Sequence, residues 1–242
     1  MTPQIPAIHE IWVYLSGSPL LALILTLSAY QLGVMAYERA GRHPLANPVL
    51  IAIVLVALTI TAIDMPYAKY FEGAQFVHFL LGPVTVALAV PLFRNLAKVR
   101  AALLPICASL AAGCLTAIVS AVGLAVALGA DRQTILSLAP KSITTPVAMG
   151  VADEIGGLPS LTAVLVVLTG TLGSIIALPV FRLIGVRESA AQGFALGLTA
   201  HGIGTARAFT VDDLAGSFAG LAMGLNALVT AIAVPLLVPL LT

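Results

Sequence analysis

Apolar residues in this chain come in long unbroken runs, not in alternation. Continuous runs cover 12–36, 48–63, 75–93 and 101–130, and two more cover 158–184 and 215–241. An α-helix needs roughly 20 apolar residues to cross a bilayer core, so each run predicts a membrane span. The second run is short, but Ala46, Asn47 and Asp64 to Pro66 can extend it. Spanning strands would read as alternating segments of about ten residues, so helices satisfy the backbone here. Two further apolar segments, 133–156 and 189–210, are interrupted by polar residues, glycines and prolines.

Composition turns that pattern into a class. Of 242 residues, 60% are hydrophobic and 9% charged, where soluble domains carry about a quarter charged. With a mean hydropathy of +1.09, residues 1–242 read as one all-α polytopic membrane domain in contact with lipid. A net charge of +1 argues against a nucleic-acid partner. No nucleotide loop, metal cluster or catalytic triad is visible, so the expectation is no enzyme, no cofactor and no metal. Cys107 and Cys114 sit seven apart in one run, which predicts one buried helix face and no disulfide. Residues 1–10 lack Lys and Arg, so no signal peptide is expected and the first span is retained.

Loop charges set the orientation. Arg39 and Arg42 lie in the first loop, and Arg94, Lys98 and Arg100 in the third. The second loop sets Lys69 against Asp64 and Glu72. Loops one and three are therefore cytoplasmic, and the termini lie outside. If 133–156 crossed fully, Arg182 and Arg187 would fall outside, against the rule. If it enters and turns back, they fall inside. The favoured fold is six full transmembrane helices plus two broken, re-entrant segments of opposite direction. Eight crossings is the alternative. Pro83 and Pro140, like Gly113 and Gly170, match at an offset of 57, a hint of duplication. Broken segments followed by spans suit an inverted-repeat, elevator-like transporter.

The chemistry gathers in the interrupted segments. "APKSITTPVAMG" places Lys141 among Ser142, Thr144 and Thr145, between Pro140 and Pro146. Thr145 reads as an N-cap with Pro146 at the first helical position, the helix running on to Gly156 and Gly157. Residues 146–155 as a half-helix would be about 15 Å long, half a bilayer core. A helix N-terminus beside an intramembrane lysine suits an anion. The bland alternative is that Lys141 snorkels or pairs with Asp153 or Glu154; those two are caps or coupling residues. In "GLTAHGIGTARAF", Gly202 and Gly204 would let the chain unwind around His201, Thr205 and Arg207. Arg207 could fork onto a carboxylate and His201 could carry a proton. Asn226 reads as helix–helix glue, Thr85 as a residue of the same cavity, and His78 as interfacial or packed.

"LLGPVTVALAVPLFRN", "PKSITTPVAMGVADEIGGLPSLTAV" and "HGIGTARAF" together resemble the LrgB/CidB family of bacterial membrane proteins. The resemblance covers about residues 15–241 and extends to the LrgB-like part of the plastid glycolate/glycerate translocator. It highlights Pro140, Lys141, Ser142, Thr144, Thr145, Pro146, Gly156, Gly157, His201, Gly204, Thr205, Ala206 and Arg207. Many members carry serine before the histidine, where this chain has Ala200. The family is described both as carriers of small monocarboxylates (glycolate, glycerate or pyruvate) and as holin/antiholin-like regulators of murein hydrolase activity and autolysis. It is often paired with a small LrgA/CidA-like membrane partner.

The expected function is therefore a monocarboxylate transporter working by alternating access. Its substrate would bind to Lys141, Ser142, Thr144, Thr145, His201, Gly202, Gly204, Thr205 and Arg207. Residues 1–130 would form a scaffold half and 131–242 the substrate half. A homodimer in the bacterial inner membrane is the expected setting. The alternative is the holin/antiholin-like regulator.

Overall fold

The computed structural model describes residues 19–41, 43, 46–80, 83, 86, 87 and 89–241. Among them every regular element is a helix, as the unbroken runs predict. Four of these helices are long and apolar enough to cross a membrane: Leu20–Arg39, Leu103–Ala127, Pro159–Leu183 and Asp213–Val238. This is an integral membrane protein. The chain divides into two compact units, 1–86 and 87–242.

The first unit holds α1 (Pro19–Arg39), α2 (Pro48–Ala62) and α3 (Tyr67–Phe79). Asn47 caps α2: its Oδ1 accepts from Val49 N at 2.9 Å and Leu50 N at 3.3 Å, with Pro48 in the first turn. α1 and α2 meet where Gly33 lies against Pro48; a Cβ there would sit 2.5 Å from Pro48 O. Thr26 Oγ1 donates to Ala22 O, so the Tyr70 hydroxyl donates to Thr26 Oγ1 (2.8 Å) and ties α3 to α1. At 15 residues α2 is about 22 Å long, short of a bilayer core.

Two sequence expectations change here. Lys69 and Glu72 lie on α3 and not in a loop. The reversal is made earlier, at Asp64 (φ 50), and Pro66 immediately precedes the next helix, its carbonyl accepting from Tyr70 N. The run 75–93 is not described as one helix: α3 ends at Phe79, Pro83, Val86 and Ala87 are helical, and α4 covers Ala89–Arg94. Thr85, most of "LLGPVTV" with its repeat match, and the His78 side chain lie outside the described residues.

The second unit continues with α5 (Leu96–Ala101), α6 (Leu103–Ala127), α7 (Arg132–Leu138), α8 (Thr145–Glu154), α9 (Pro159–Leu183), α10 (Ser189–Phe209) and α11 (Asp213–Leu241). Arg94, Lys98 and Arg100 sit on α4 and α5, so the third basic loop is largely helical. α6 buries Ile106, Leu110, Cys114, Ile118, Val122 and Ala125, a stripe of helical period. Cys107 falls beside that stripe and is exposed; only Cys114 is buried as expected, because Ile106 and Leu110 fill the packing face at that end.

Three long helices form the frame. The start of α6 (Ile106, Leu110) packs with the start of α11 (Phe218, Ala222). The end of α6 (Ile118, Val122, Ala125) packs with the end of α11 (Val234, Val238). α6 and α11 are therefore parallel. α9 runs the other way: its far end, Phe181, packs with Ala215 and Ala219 at the start of α11. Between these helices lie α7, α8 and α10.

Candidate functional site

Residues 131–158 double back on themselves. Asp131 opens the segment, its carboxylate accepting from Thr134 N and Thr134 Oγ1, both at 2.8 Å. α7 ends at Leu138 and residues 139–144 are non-helical. Pro140 and Pro146 account for that: each lacks the N–H that a continuing helix would need, and its ring would meet the carbonyl four residues earlier. α8 then returns. Leu158 N donates to Ser137 Oγ (2.8 Å) and Thr162 Oγ1 to Ser137 O (2.9 Å). Along a straight helix Leu158 would lie about 30 Å from Ser137.

Glycines close the return. Gly156 has φ +87, Gly157 N donates to Ala152 O (2.7 Å) and Gly156 N to Asp153 O (3.2 Å). This is a Schellman end to α8. A Cβ on Gly157 would sit 2.9 Å from Ser137 N, so only glycine lets the two arms touch. At the other end of α8 the predicted cap is shifted by one. Thr144 is the N-cap (φ −61, ψ 138), Pro146 is the second helical residue, and no side chain caps the helix.

Residues 189–209 double back as well, by a different device. His201 has φ 43 and ψ −129, inside α10. Gly204 then lies against Leu196 O, where a Cβ would collide. Eight residues apart in a straight helix would be about 12 Å. The two ends also meet, since Ser189 Oγ donates to Asp212 Oδ2. The unusual conformation thus falls on His201, not on Gly202 or Gly204. Gly202 has open space around it, the nearest atom to its Cβ position being Met223 Sδ at 3.9 Å. Gly204 serves close approach rather than unwinding. The outgoing arm, residues 189–200, lies tightly along α11, with Gly193 and Gly197 against the Ala215 and Ala219 carbonyls. Small residues four apart permit such contact.

The tips of both segments meet at the middle of α9 and α11. Asn226 Nδ2 donates to Ser142 O (3.3 Å) in the first tip and to Leu198 O (2.9 Å) in the second. Both carbonyls need it: Ser142 is outside any helix, and Leu198 is in the last turn of its arm, where carbonyls lack helical partners. Asn226 Oδ1 accepts from Thr230 Oγ1 (3.2 Å), and the Cys114 thiol donates to that hydroxyl (3.4 Å). On α9, His201 Nε2 donates to Val166 O (3.0 Å), and Ile143 of the first tip packs on the Val166 side chain. Gly170 makes room for the imidazole; a Cβ there would sit 2.6 Å from Nε2.

The predicted site residues divide by depth. Lys141 and Ser142 are in the first tip, with Lys141 Nζ donating to Ser142 Oγ (3.3 Å), its sole polar partner among the described residues. Thr144 and Thr145 are half-buried where α8 starts. Thr205 Oγ1 donates to His201 O (2.8 Å), closing the first turn after the reversal. Arg207 lies further down the returning arm, about 9 Å from His201 along the helix. Its Nη1 donates to Thr210 Oγ1 (3.3 Å), near the open end. Asp153 and Glu154 are exposed at the end of α8. Asn226 is glue, as a polar residue inside a span suggests, but nothing in the sequence connects it to either interrupted segment.

A family model described as LrgB-like matches residues 26–240. The chain belongs to the LrgB-like family. YxaC, an uncharacterized protein of Bacillus subtilis (strain 168), is 34% identical over 219 residues, which is 90% of this chain and 95% of the relative. The holin-like protein CidB of Staphylococcus epidermidis is 30% identical over 218 residues, with the same coverage. CidB of Staphylococcus aureus is 29% identical over 219 residues. No solved structure matches. The family expected from the three quoted motifs is therefore the right one.

Proposed function

We propose that this chain is a holin-like membrane protein of the bacterial inner membrane, acting on membrane permeability or on the control of murein hydrolases. The observation that carries this reading is its 30% identity to a holin-like CidB across 90% of the chain. The order of the two readings drawn from the sequence is thereby reversed. In this reading the chain performs no covalent chemistry. It acts as an assembly, a dimer or larger, alone or with a small LrgA/CidA-like partner.

One observation favours the second reading, transport of small monocarboxylates. Two segments that double back place Lys141, two backbone carbonyls and the start of α8 in one region, bridged by Asn226. A holin that only permeabilises has no use for a built meeting point of this kind. In this reading Lys141 and the α8 N-terminus neutralise a carboxylate, while Ser142, Thr144, Thr145 and Thr205 are the hydroxyl partners. His201 and Arg207 complete the site as the second tip moves, and Asp153 and Glu154 couple it to a cation. The topology that goes with it has six full spans, two opposed re-entrant segments and both termini on the outer side. The return of Leu158 to Ser137 and of Ser189 to Asp212 supports it.

Proteoliposomes holding both labelled glycolate or pyruvate and an entrapped dye separate the readings. Release of dye together with label supports the holin-like one. Saturable label flux with dye retained, falling about tenfold or more in Lys141→Met through loss of the charge–carboxylate contact, supports the carrier. Flux unaffected by Lys141→Met removes the proposed site.

A further inference from the structure

We propose that Asn226 interlocks the two tips, so that residues 139–144 and 198–205 open and close as one gate. The inference concerns motion and holds for either functional reading. A primary amide has two N–H donors and one carbonyl acceptor. Here each donor faces a different tip: Ser142 O at 3.3 Å and Leu198 O at 2.9 Å. The acceptor is occupied by Thr230 Oγ1 at 3.2 Å, and Cys114 in turn supports Thr230. The amide cannot flip without setting its oxygen against two carbonyl oxygens. Its orientation is therefore fixed by its partners.

The two tips have no other shared donor among the bonds described for them. Both carbonyls are buried with Asn226, which is 1% exposed. Withdrawing one tip leaves a buried donor and a buried carbonyl unmade, and it strains the bond that orients the other. Motion of either tip is thus felt at the other through a single side chain on α11. Val166 on α9 also touches both tips, but by one hydrogen bond, its carbonyl accepting from His201, and one apolar contact, its side chain on Ile143. Asn226 is a positioning residue in this scheme. Its donors matter, more than its volume.

Hydrogen–deuterium exchange on the full chain in lipid nanodiscs tests this. Asn226→Leu keeps bulk and loses both donors. Exchange in the peptides covering 139–147 and 198–206 should rise together by about tenfold or more, with 103–127 unchanged. Asn226→Gln, which retains the amide, should restore protection at both tips in part. Thr230→Val removes the donor that orients the amide, together with the acceptor of the Cys114 thiol, and leaves both tip bonds their donors; it should raise exchange at both tips by a smaller factor. It also decides the matter if Asn226→Leu does not fold. A rise at one tip only, a uniform rise through all helices, or no rise in either variant overturns the interlock.

Discussion

The two segments that double back solve one problem in opposite ways. The first spreads its turn over residues 139–144, six positions with two prolines nearby and a lysine within. The second concentrates its turn in one residue, His201, with φ 43 and ψ −129. A wide turn leaves backbone groups and side chains available, and Lys141, Ser142 and Thr144 are all there. A tight turn leaves little available: His201 is 4% exposed, and its Nε2 already donates to Val166 O. The polar capacity of the meeting point therefore sits in the first tip. The second contributes close packing, through Gly204 on Leu196 and Gly193 and Gly197 on α11.

The largest expected effect tests that division directly. Gly204→Val places a side chain into the Leu196 carbonyl and the Ala200 methyl, both of which are fixed by the arm they belong to. The returning arm cannot close, and a loss of about 3 kcal/mol or more is expected. Gly202→Ala, two residues earlier, meets only Met223 Sδ at 3.9 Å. It should leave stability unchanged or raise it by a few tenths of a kcal/mol, since alanine is the better helix former. Thermal denaturation in one detergent reads both. Equal losses from the two changes would mean that the second segment needs glycine for flexibility, as its sequence suggested, and not for contact.

A smaller effect concerns the turn residue itself. The backbone angles of His201 are those of the first central residue of a type II′ turn, a position that glycine fills without strain. A non-glycine residue there costs about 1–3 kcal/mol. His201→Gly relieves that strain but loses the bond to Val166 O, so the net change should be about 1 kcal/mol or less. His201→Val keeps the strain, adds β-branching and loses the bond, and should cost about 2 kcal/mol more than His201→Gly. Unfolding measurements on the pair check this. If glycine proves the worse of the two, the side-chain volume packed beside Gly170 outweighs the backbone strain at 201, since both changes lose the imidazole bond alike.

These cases show what could be read from the chain and what could not. Unbroken apolar runs gave the helices of the frame, since run length is itself the physical requirement for a span. Pro140 and Pro146 gave the first turn because proline acts locally. Gly202 and Gly204 point to the second turn within a few residues, but the turn itself falls on His201. Glycine permits a positive φ without requiring it, and the demand for close approach at Gly204 comes from residue 196, eight positions away. Asn226 was equally opaque in its detail. An asparagine in a span looks the same whether it binds a neighbouring helix or two freed carbonyls, and only the folding back of both segments brings Ser142 and Leu198 to it. The α3–α4 region misled for another reason: hydropathy does not register a turn such as that at Asp64, or say where one helix stops inside an apolar run.

The smallest expected effect compares the aspartates at the open ends. Thr134, through its backbone and its side chain, holds the Asp131 carboxyl below the usual range. Ser189, and then the Ala215 backbone N–H, does the same for Asp212. A depressed carboxylate pKa contributes stability that is present above the ordinary value near 4 and is lost as pH falls through the lower, folded value. Both contributions therefore vanish only in acid below about pH 4. They should differ in consequence. Asp131 caps α7 alone, so its protonation frays one short helix. Asp212 joins the start of α10 to the start of α11, so its protonation releases the latch across the whole second segment. Exchange at low pH, corrected for the intrinsic rate, should rise at 186–192 and 210–215 together, but at 131–138 only locally. Ser189→Ala removes the first cause of the Asp212 shift and should move that rise to higher pH while shrinking its size. If it leaves the midpoint where it was, the two ends of the second segment are held by packing at Gly193 and Gly197 alone, and the aspartate only caps α11.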